Sequence, residues 1–304
     1  MRQGTKSGTK FEDTDGNGPG TTGDPVENWT IRVFADLDGN GVVDIEDAAA
    51  TPPTVNETTP LFSTTTDEFG AYSFDLDPGD YIVCEESQTD WYQSYPTSGA
   101  DCSNAADSED IGYAFTITSG DTHGHLNNDF GNFQQGIKSG YKWHDLDADG
   151  IWDKPDEPGL NGWTIELYDA QGALLDTTTT ADGSGTLGLG EYQFQLDPGT
   201  YTVKEVCQPD WLQSYPTPTA GCGTGVHDFT IASGDDTNHR DNDFGNHQPA
   251  TKSGMKFEDL DADGIKDGGE PGLDGWTTIK VFNDLDDSDS LTAGDTLEAE
   301  QVTG

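Results

Sequence analysis

Apolar residues recur at every second position along short stretches of this chain. Trp163, Ile165 and Leu167 alternate with Thr164 and Glu166, Tyr192 and Phe194 with Gln193 and Gln195, and Tyr201 and Val203 with Thr202 and Lys204. A period of two places alternate side chains on one face of an extended strand, and no segment carries a 3.6-residue stripe. Asp77-Pro78-Gly79-Asp80 and Asp197-Pro198-Gly199-Thr200 lie between pairs of such strands. Proline presets the first turn torsion and glycine accepts a positive φ at the second, so each is read as a tight hairpin. About seven short strands per unit, with turns every 8–12 residues, predict an antiparallel β-sandwich.

The unit repeats. KSGTKF (Lys6 to Phe11) returns as KSGYKW (Lys138 to Trp143) and KSGMKF (Lys252 to Phe257). NWTIRVF, from Asn28, matches GWTIELY from Gly162 and GWTTIKVF from Gly275, and NNDFGN matches DNDFGN. The pattern divides the chain into residues 1–135, 136–249 and 250–304, the last a partial copy that reaches Gly304 before its later strands. Half a sandwich leaves a bare sheet edge, so further sequence or another chain is expected to complete it. Met1 to Gly4 resembles the linker Phe133 to Gly136, and the whole reads as a segment of something longer.

Each copy opens with an acidic loop. The third has Asp259, Asp261, Asp263, Gly264, Asp267 and Glu270, the positions 1, 3, 5, 6, 9 and 12 of a calcium loop. The first has Asp13, Asp15, Asn17, Gly18, Thr21 and Asp24; the second has Asp145, Asp147, Asp149, Gly150 and Asp153, then Asp156 or Glu157. A further loop after the next strand offers Asp36, Asp38, Asn40, Asp44 and Asp47 in copy one and Asp284, Asp286, Ser288 and Asp295 in copy three. Calcium takes six to eight hard oxygens, and the glycine turn lets a backbone carbonyl join them. No helices flank these loops, so the expected Ca2+ sites clamp strands and open no groove.

Charge and cysteine narrow the setting. With 58 acidic against 13 basic residues, the formal charge is −45, which excludes nucleic acid and anionic membrane as partners. Seven Trp, ten Tyr and thirteen Phe at recurring places argue for a folded chain. Only 31% of residues are apolar, and small cores of that kind need staples. Cys84 with Cys102, and Cys207 with Cys222, fall in pairs inside single repeats and predict disulfides in an oxidising compartment. No stretch is apolar enough to predict membrane insertion of this segment, and no catalytic motif stands apart from the acidic loops.

Taken together, G-x-K-F-x-D-x-D-x-D/N-G, E-P-G-L-x-G-W-T-I, L-x-P-G-x-Y-x-V-x-E, W-x-Q-S-x-P and N-D-F-G resemble the B-repeats of serine-aspartate-repeat surface adhesins. The resemblance implies prealbumin-like, Ig-like calcium-binding sandwiches akin to collagen-adhesin B domains, in extracellular rods that stiffen with calcium. Related B domains form a Lys–Asn isopeptide bond beside a Glu, whose counterparts here are Glu85 and Glu205. Phe11, Trp143 and Phe257 stand near the place of the reactive lysine, so no such bond is expected. The sequence thus predicts a non-enzymatic, calcium-rigidified stalk or filament subunit at the cell surface, with neighbouring copies of itself as partners. Its alternatives are an adhesin that binds a protein or glycan through sandwich-end loops, or the non-catalytic part of a secreted enzyme.

Overall fold

The structure is a computed structural model that describes residues 2–18, 23–46, 55–109, 111–121, 126–216, 223–235, 242–276, 278–284, 288 and 290–303. It divides into two compact units, Met1–Gln248 and Pro249–Gly304. The first unit holds two sandwiches. In repeat one the strands are β1 (Gly4–Glu12), β2 (Asp24–Pro25), β3 (Thr30–Ala35), β4 (Ile45–Glu46), β5 (Val55–Asn56) and β6 (Phe62–Thr65). They continue as β7 (Ala71–Leu76), β8 (Gly79–Glu85), β9 (Tyr92–Tyr95), β10 (Ala100–Asp101), β11 (Ile111–Ile117) and β12 (Phe130–Phe133). Repeat two has β13 (Gly136–His144), β14 (Thr164–Asp169), β15 (Leu174–Thr179), β16 (Glu191–Leu196), β17 (Gly199–Glu205), β18 (Leu212–Tyr215), β19 (Val226–Ile231) and β20 (Phe244–His247). The second unit contains the antiparallel pair β21 (Ile279–Asn283) and β22 (Thr296–Gln301).

Both complete repeats share one topology. One sheet runs β2-β1-β12-β9 with β7 also on β1, against β10-β11-β8-β3-β6; in repeat two the sheets are β16-β13-β20-β18 and β15-β14-β17-β19. Most pairs are antiparallel, but the first strand lies parallel to the last, Lys10 opposite Phe130 and Lys142 opposite Phe244. The cores fill with equivalent residues: Trp29, Ile31, Val33, Tyr72, Phe74 and Phe130 in one, Trp163, Ile165, Leu167, Tyr192, Phe194 and Phe244 in the other.

Two expectations change here. The Asp-Pro-Gly segments are corners between sheets: β7 pairs with β1, whereas β8 pairs with β3 and β11, and β16 and β17 part in the same way. The reason is that the alternating faces of both strands must point into the same core. Tyr72, Phe74 and Leu76 meet Tyr81 and Val83 across it, which adjacent strands of one sheet could not do. Tyr81 Oη donates to the Asp77 carbonyl at 2.9 Å and Tyr201 Oη to that of Asp197 at 3.0 Å, fixing each corner.

The second change concerns the lysines. Strand β1 alternates with Gly4, Lys6, Gly8 and Lys10 buried, so the lysines of K-S-G-x-K face inward. Phe11 and Trp143 take the other face of their strands, where Gly131 and Gly245 make room: a Cβ on either would come 2.5 Å from the neighbouring ring. Four lysines, Lys6, Lys10, Lys138 and Lys142, are among the largest fully buried side chains. Burying one Leu-sized side chain contributes about 2 kcal/mol. An unpaired buried ammonium costs several times that, so these amines need partners or must lose their charge.

The Cys84–Cys102 disulfide is formed, with Cα atoms 6.1 Å apart. Cys84 packs with Phe34, Val43, Ile82 and Cys102 on the side of β8 away from the main core, so the bridge ties a covering loop onto the sheet. On the chain-entropy scale such a loop is worth about 3 kcal/mol. Cys207 is disulfide-bonded as well; Cys222 lies outside the described residues.

Burial pushes the Lys6 and Lys138 amines down to about 7, with Asp129 and Asp243 opposing the shift. An unfolded lysine titrates near 10.4, roughly, so between these values the unfolded chain holds more protons and stability rises with pH. Glu85, pushed up to about 8 by burial and back down in part by Lys10, acts in the opposite sense only below that pH. The melting temperature is therefore expected to rise between about pH 8 and 9.5 at fixed salt, and to flatten in Lys6→Met/Lys138→Met. Calorimetry across that range checks it; equal slopes for parent and variant would contradict the inward placement of these amines.

Candidate acidic loops and a buried Lys–Glu–Asn triad

Four of the acidic loops share one local geometry. The sixth-position glycine donates its N–H to Oδ2 of the first aspartate: Gly18 to Asp13 at 2.9 Å, Gly41 to Asp36 at 3.2 Å, Gly150 to Asp145 at 2.8 Å and Gly264 to Asp259 at 2.9 Å. These glycines all have positive φ, between 76° and 90°, which is what curls successive carboxylates toward one centre. Amides two residues on then cap the inner aspartates, Ile151 on Asp149 and Ile265 on Asp263, both at 2.7 Å.

A glutamate closes three of the loops. Leu146 N–H donates to Glu157 Oε1 at 2.6 Å and Leu260 N–H to Glu270 Oε1 at 2.7 Å, while Asp153 and Asp267 donate to the other oxygens at 3.0 Å. In the third such loop the closing residue is Glu57, which accepts from Leu37 N–H at 2.5 Å and donates its own N–H to the Asp44 carbonyl at 3.0 Å. Glu157 and Glu270 donate in the same way to the carbonyls of Asp153 and Asp267. Sequence reasoning missed Glu57 because the pair β4–β5 is inserted between positions 9 and 12. The signal available was the Asp-Leu-Asp opening that all three loops share and a Glu beyond the insertion.

Among the described residues, three carboxylate sets come within 4.8 Å: Asp36, Asp38 and Glu57; Asp145, Asp147 and Asp149; Asp259, Asp261 and Asp263. Asp36, Glu57 and Asp145 are buried, and Asp36 Oδ1, Glu57 Oε2 and Asp145 Oδ1 accept no hydrogen bond. Burial pushes the Asp36 and Glu57 carboxyls up, against the pull of the Gly41 and Leu37 amides respectively. Unpartnered buried carboxylate oxygens are expensive, and hard cations are what such a donor set takes.

The remaining predicted residues are placed differently. Asn17 caps Asp15 through Nδ2 at 2.8 Å, but Asp24 is exposed in β2 opposite Glu12. Asp156 is exposed beside Glu157. In the loop after β21, Ser288 N–H donates to Asp284 at 3.2 Å and Thr292 N–H to Asp295 at 2.6 Å. Thr21, Asp47 and Asp286 lie outside the described residues.

The buried lysines form the second constellation. Lys10 Nζ donates to Asn132 Oδ1 at 2.7 Å and stands 3.4 Å from Glu85 Oε2; Lys142 Nζ donates to Asn246 Oδ1 at 2.5 Å and stands 3.3 Å from Glu205 Oε2. Asn246 Nδ2 donates to Glu205 Oε1 at 2.8 Å, and in repeat one Gln93 Nε2 donates to Glu85 Oε1 at 3.0 Å. Lys10 lies 4.3 Å from the Trp29 ring centre and Lys142 4.4 Å from that of Trp163, so each amine is roofed by indole. Burial lowers both amines, Lys142 to about 8, and raises both glutamates, Glu85 to about 8. This corrects the expectation that aromatics stand at the reactive lysine's place. In the two complete repeats the lysine is the residue just before the aromatic, Lys10 before Phe11 and Lys142 before Trp143, and it reaches the last strand from the inner face.

A family model described as the SdrD B-like domain matches residues 30–131 and 139–244. Serine-aspartate repeat-containing protein D of Staphylococcus aureus (strain Newman) is 30% identical over 275 residues, which is 86% of this chain and 20% of that protein. Serine-aspartate repeat-containing protein F of Staphylococcus epidermidis (strain ATCC 12228 / FDA PCI 1200) is 29% identical over 266 residues, 83% of this chain and 15% of that protein. The chain therefore spans only a small part of these relatives' length. Among solved structures, the Bacillus anthracis TIE protein overlaps with a TM-score of 0.32 at 17% identity (81% of this chain, 35% of that one). The minor pilin GBS52 of Streptococcus agalactiae overlaps at 0.29 and 15% (83% and 98%), and neither overlap is close enough to argue from. With two matched domains and a relative at that identity, the chain belongs to the SdrD B-like domain family.

Proposed function

We propose that this chain is a spacer of an extracellular stalk or fibre, whose repeats withstand tension because each complete one is closed by an amide bond between its first and last strands. The observation that carries the reading is the triad, present in both repeats. The chain enters a repeat through β1 or β13 and leaves it through β12 or β20, which lie side by side and parallel. Pulling on the ends shears that pair, and a Lys10–Asn132 or Lys142–Asn246 bond would carry the force past the whole sandwich.

The chemistry needs an uncharged amine and a carboxylic acid, and burial favours both. The Lys Nζ lone pair attacks Asn Cγ while the Glu carboxyl gives a proton to the amide and receives one from the amine. The C–N bond to Nδ2 breaks, ammonia leaves, and the new amide retains the carbonyl, with no oxidant or other reactant consumed. Calcium has a separate role in this reading. The carboxylates that meet in the loops at Asp36, Asp145 and Asp259 would hold it, neutralising part of the acidic surface and fixing strand ends.

Two measurements test these parts. Intact mass after reduction and denaturation is expected about 34 Da below the value for the free residues, about 17 Da for each ammonia lost, with Glu85→Gln and Glu205→Gln each restoring one increment. Full sequence mass, with Lys10 and Asn132 recovered on separate peptides, would rule the cross-link out. For the loops, Glu57→Gln is expected to lose part of the calcium-induced rise in melting temperature, up to about 2.7 kcal/mol at a hundredfold excess over Kd. In chelator the same variant should melt no lower than the parent, since the change relieves an unpartnered buried carboxylate. A drop equal in calcium and chelator would make Glu57 a structural residue only.

A further inference from the structure

The contact between the two sandwiches uses a surface that repeat one also carries at its other end. Repeat two receives repeat one on the Asp197–Gly199 corner and the Ala232–Asp235 turn. Ser233 N–H donates to the Thr14 carbonyl at 2.9 Å, inside the first acidic loop. Gly16 of the same loop, at φ +69°, seats against Pro198, whose carbonyl oxygen would lie 3.2 Å from any Cβ there. The linker is held alongside: Gln134 N–H donates to Ser233 Oγ at 2.8 Å, Gly234 N–H to the Gln134 carbonyl at 2.9 Å, and Gln135 Nε2 to Asp197 Oδ1 at 2.8 Å.

Repeat one has the same parts in the same places. Asp77–Gly79 is its corner, clamped by Tyr81 as Asp197 is by Tyr201. Thr118-Ser119-Gly120-Asp121 matches Ala232-Ser233-Gly234-Asp235. Asp121 N–H donates to Thr118 at 3.0 Å as Asp235 N–H does to Ala232 at 3.1 Å, and Gly120 N–H reaches the Arg2 carbonyl at 3.4 Å as Gly234 reaches Gln134. The difference is cover. Pro198 is buried and Ser233 half-buried, whereas Pro78 is only half-buried and Ser119 is exposed.

We infer that the end of repeat one formed by Pro78 and Ser119 is the receiving half of a repeat-to-repeat joint, and that its occupant is the acidic opening loop of a preceding SdrD B-like repeat. The inference rests on the stalk reading and adds its assembly rule. Repeat one presents its acidic loop forward to repeat two and a Pro/Ser end backward, a heterologous contact that extends into a row without closing. Docking is a polar backbone contact with a glycine seat, and the short linker supplies the effective concentration that so small a contact needs.

The test adds one repeat to the full chain. Residues 1–132 are placed directly ahead of Met1, which sets Arg2 where Gln134 stands, and the added copy carries Thr118→Ala so that its peptide differs in mass. Hydrogen exchange is read on the peptide spanning the original Ser119. Its amide is expected to slow by about tenfold or more relative to the 304-residue chain, and to return to the faster rate when the added copy also carries Gly16→Val. Equal exchange in the extended and original chains would overturn the joint. Slow exchange already present in the 304-residue chain, and lost on dilution, would assign the end to a second copy and overturn the preceding-repeat assignment. Ammonia loss measured on the same samples keeps failure of the cross-link separate from failure of the joint.

Discussion

An amine held between two β-sheets is the constraint from which much of each repeat follows. Lys10 and Lys142 are buried in the core. Such a group must be hydrogen-bonded, paired or uncharged, or it would cancel the gain from several apolar side chains. The surroundings answer that demand strand by strand: an asparagine from the last strand, a glutamate from the opposite sheet, and an indole roof from the residue just before β3 or β14. The demand also fixes topology. For one lysine to reach both partners, the first strand must lie beside the last and face the strand that ends in Glu85 or Glu205. The outward aromatic and the glycine it covers, Phe11 on Gly131 and Trp143 on Gly245, are the other side of the same placement.

The acidic loops obey a comparable rule with more freedom. A first aspartate accepts from the glycine amide, and in the loops at Asp36, Asp145 and Asp259 a glutamate accepts from the amide after that aspartate. Between these fixed ends the chain can be lengthened, as the β4–β5 insertion before Glu57 demonstrates. Copy two has a simple Asp169–Gly172 turn in place of the second loop, with Gln171 and Ala173 amides capping Asp169. The acidic loops are therefore an elaboration added where the turn is long. The first loop, whose Thr14 and Gly16 touch repeat two, joins acidic-loop geometry to the contact between sandwiches.

The sequence by itself determined the strand content, the two complete repeats, the Cys84–Cys102 pair and the order of acidic residues in the loops at Asp145 and Asp259. These depend on period, spacing and turn residues, all local in the chain. Tertiary structure alone decided three things. It turned the Asp-Pro-Gly segments into corners, because two inward faces had to meet across one core. It chose Glu57 from beyond an insertion, because closure is a matter of distance in space and not along the chain. It also set the facing of the first strand, with the lysines inward and Phe11 and Trp143 on the other side. Alternation fixes which residues share a face but not which face is buried; only the partners waiting on other strands, Asn132 with Glu85 and Asn246 with Glu205, make the lysine face the inner one.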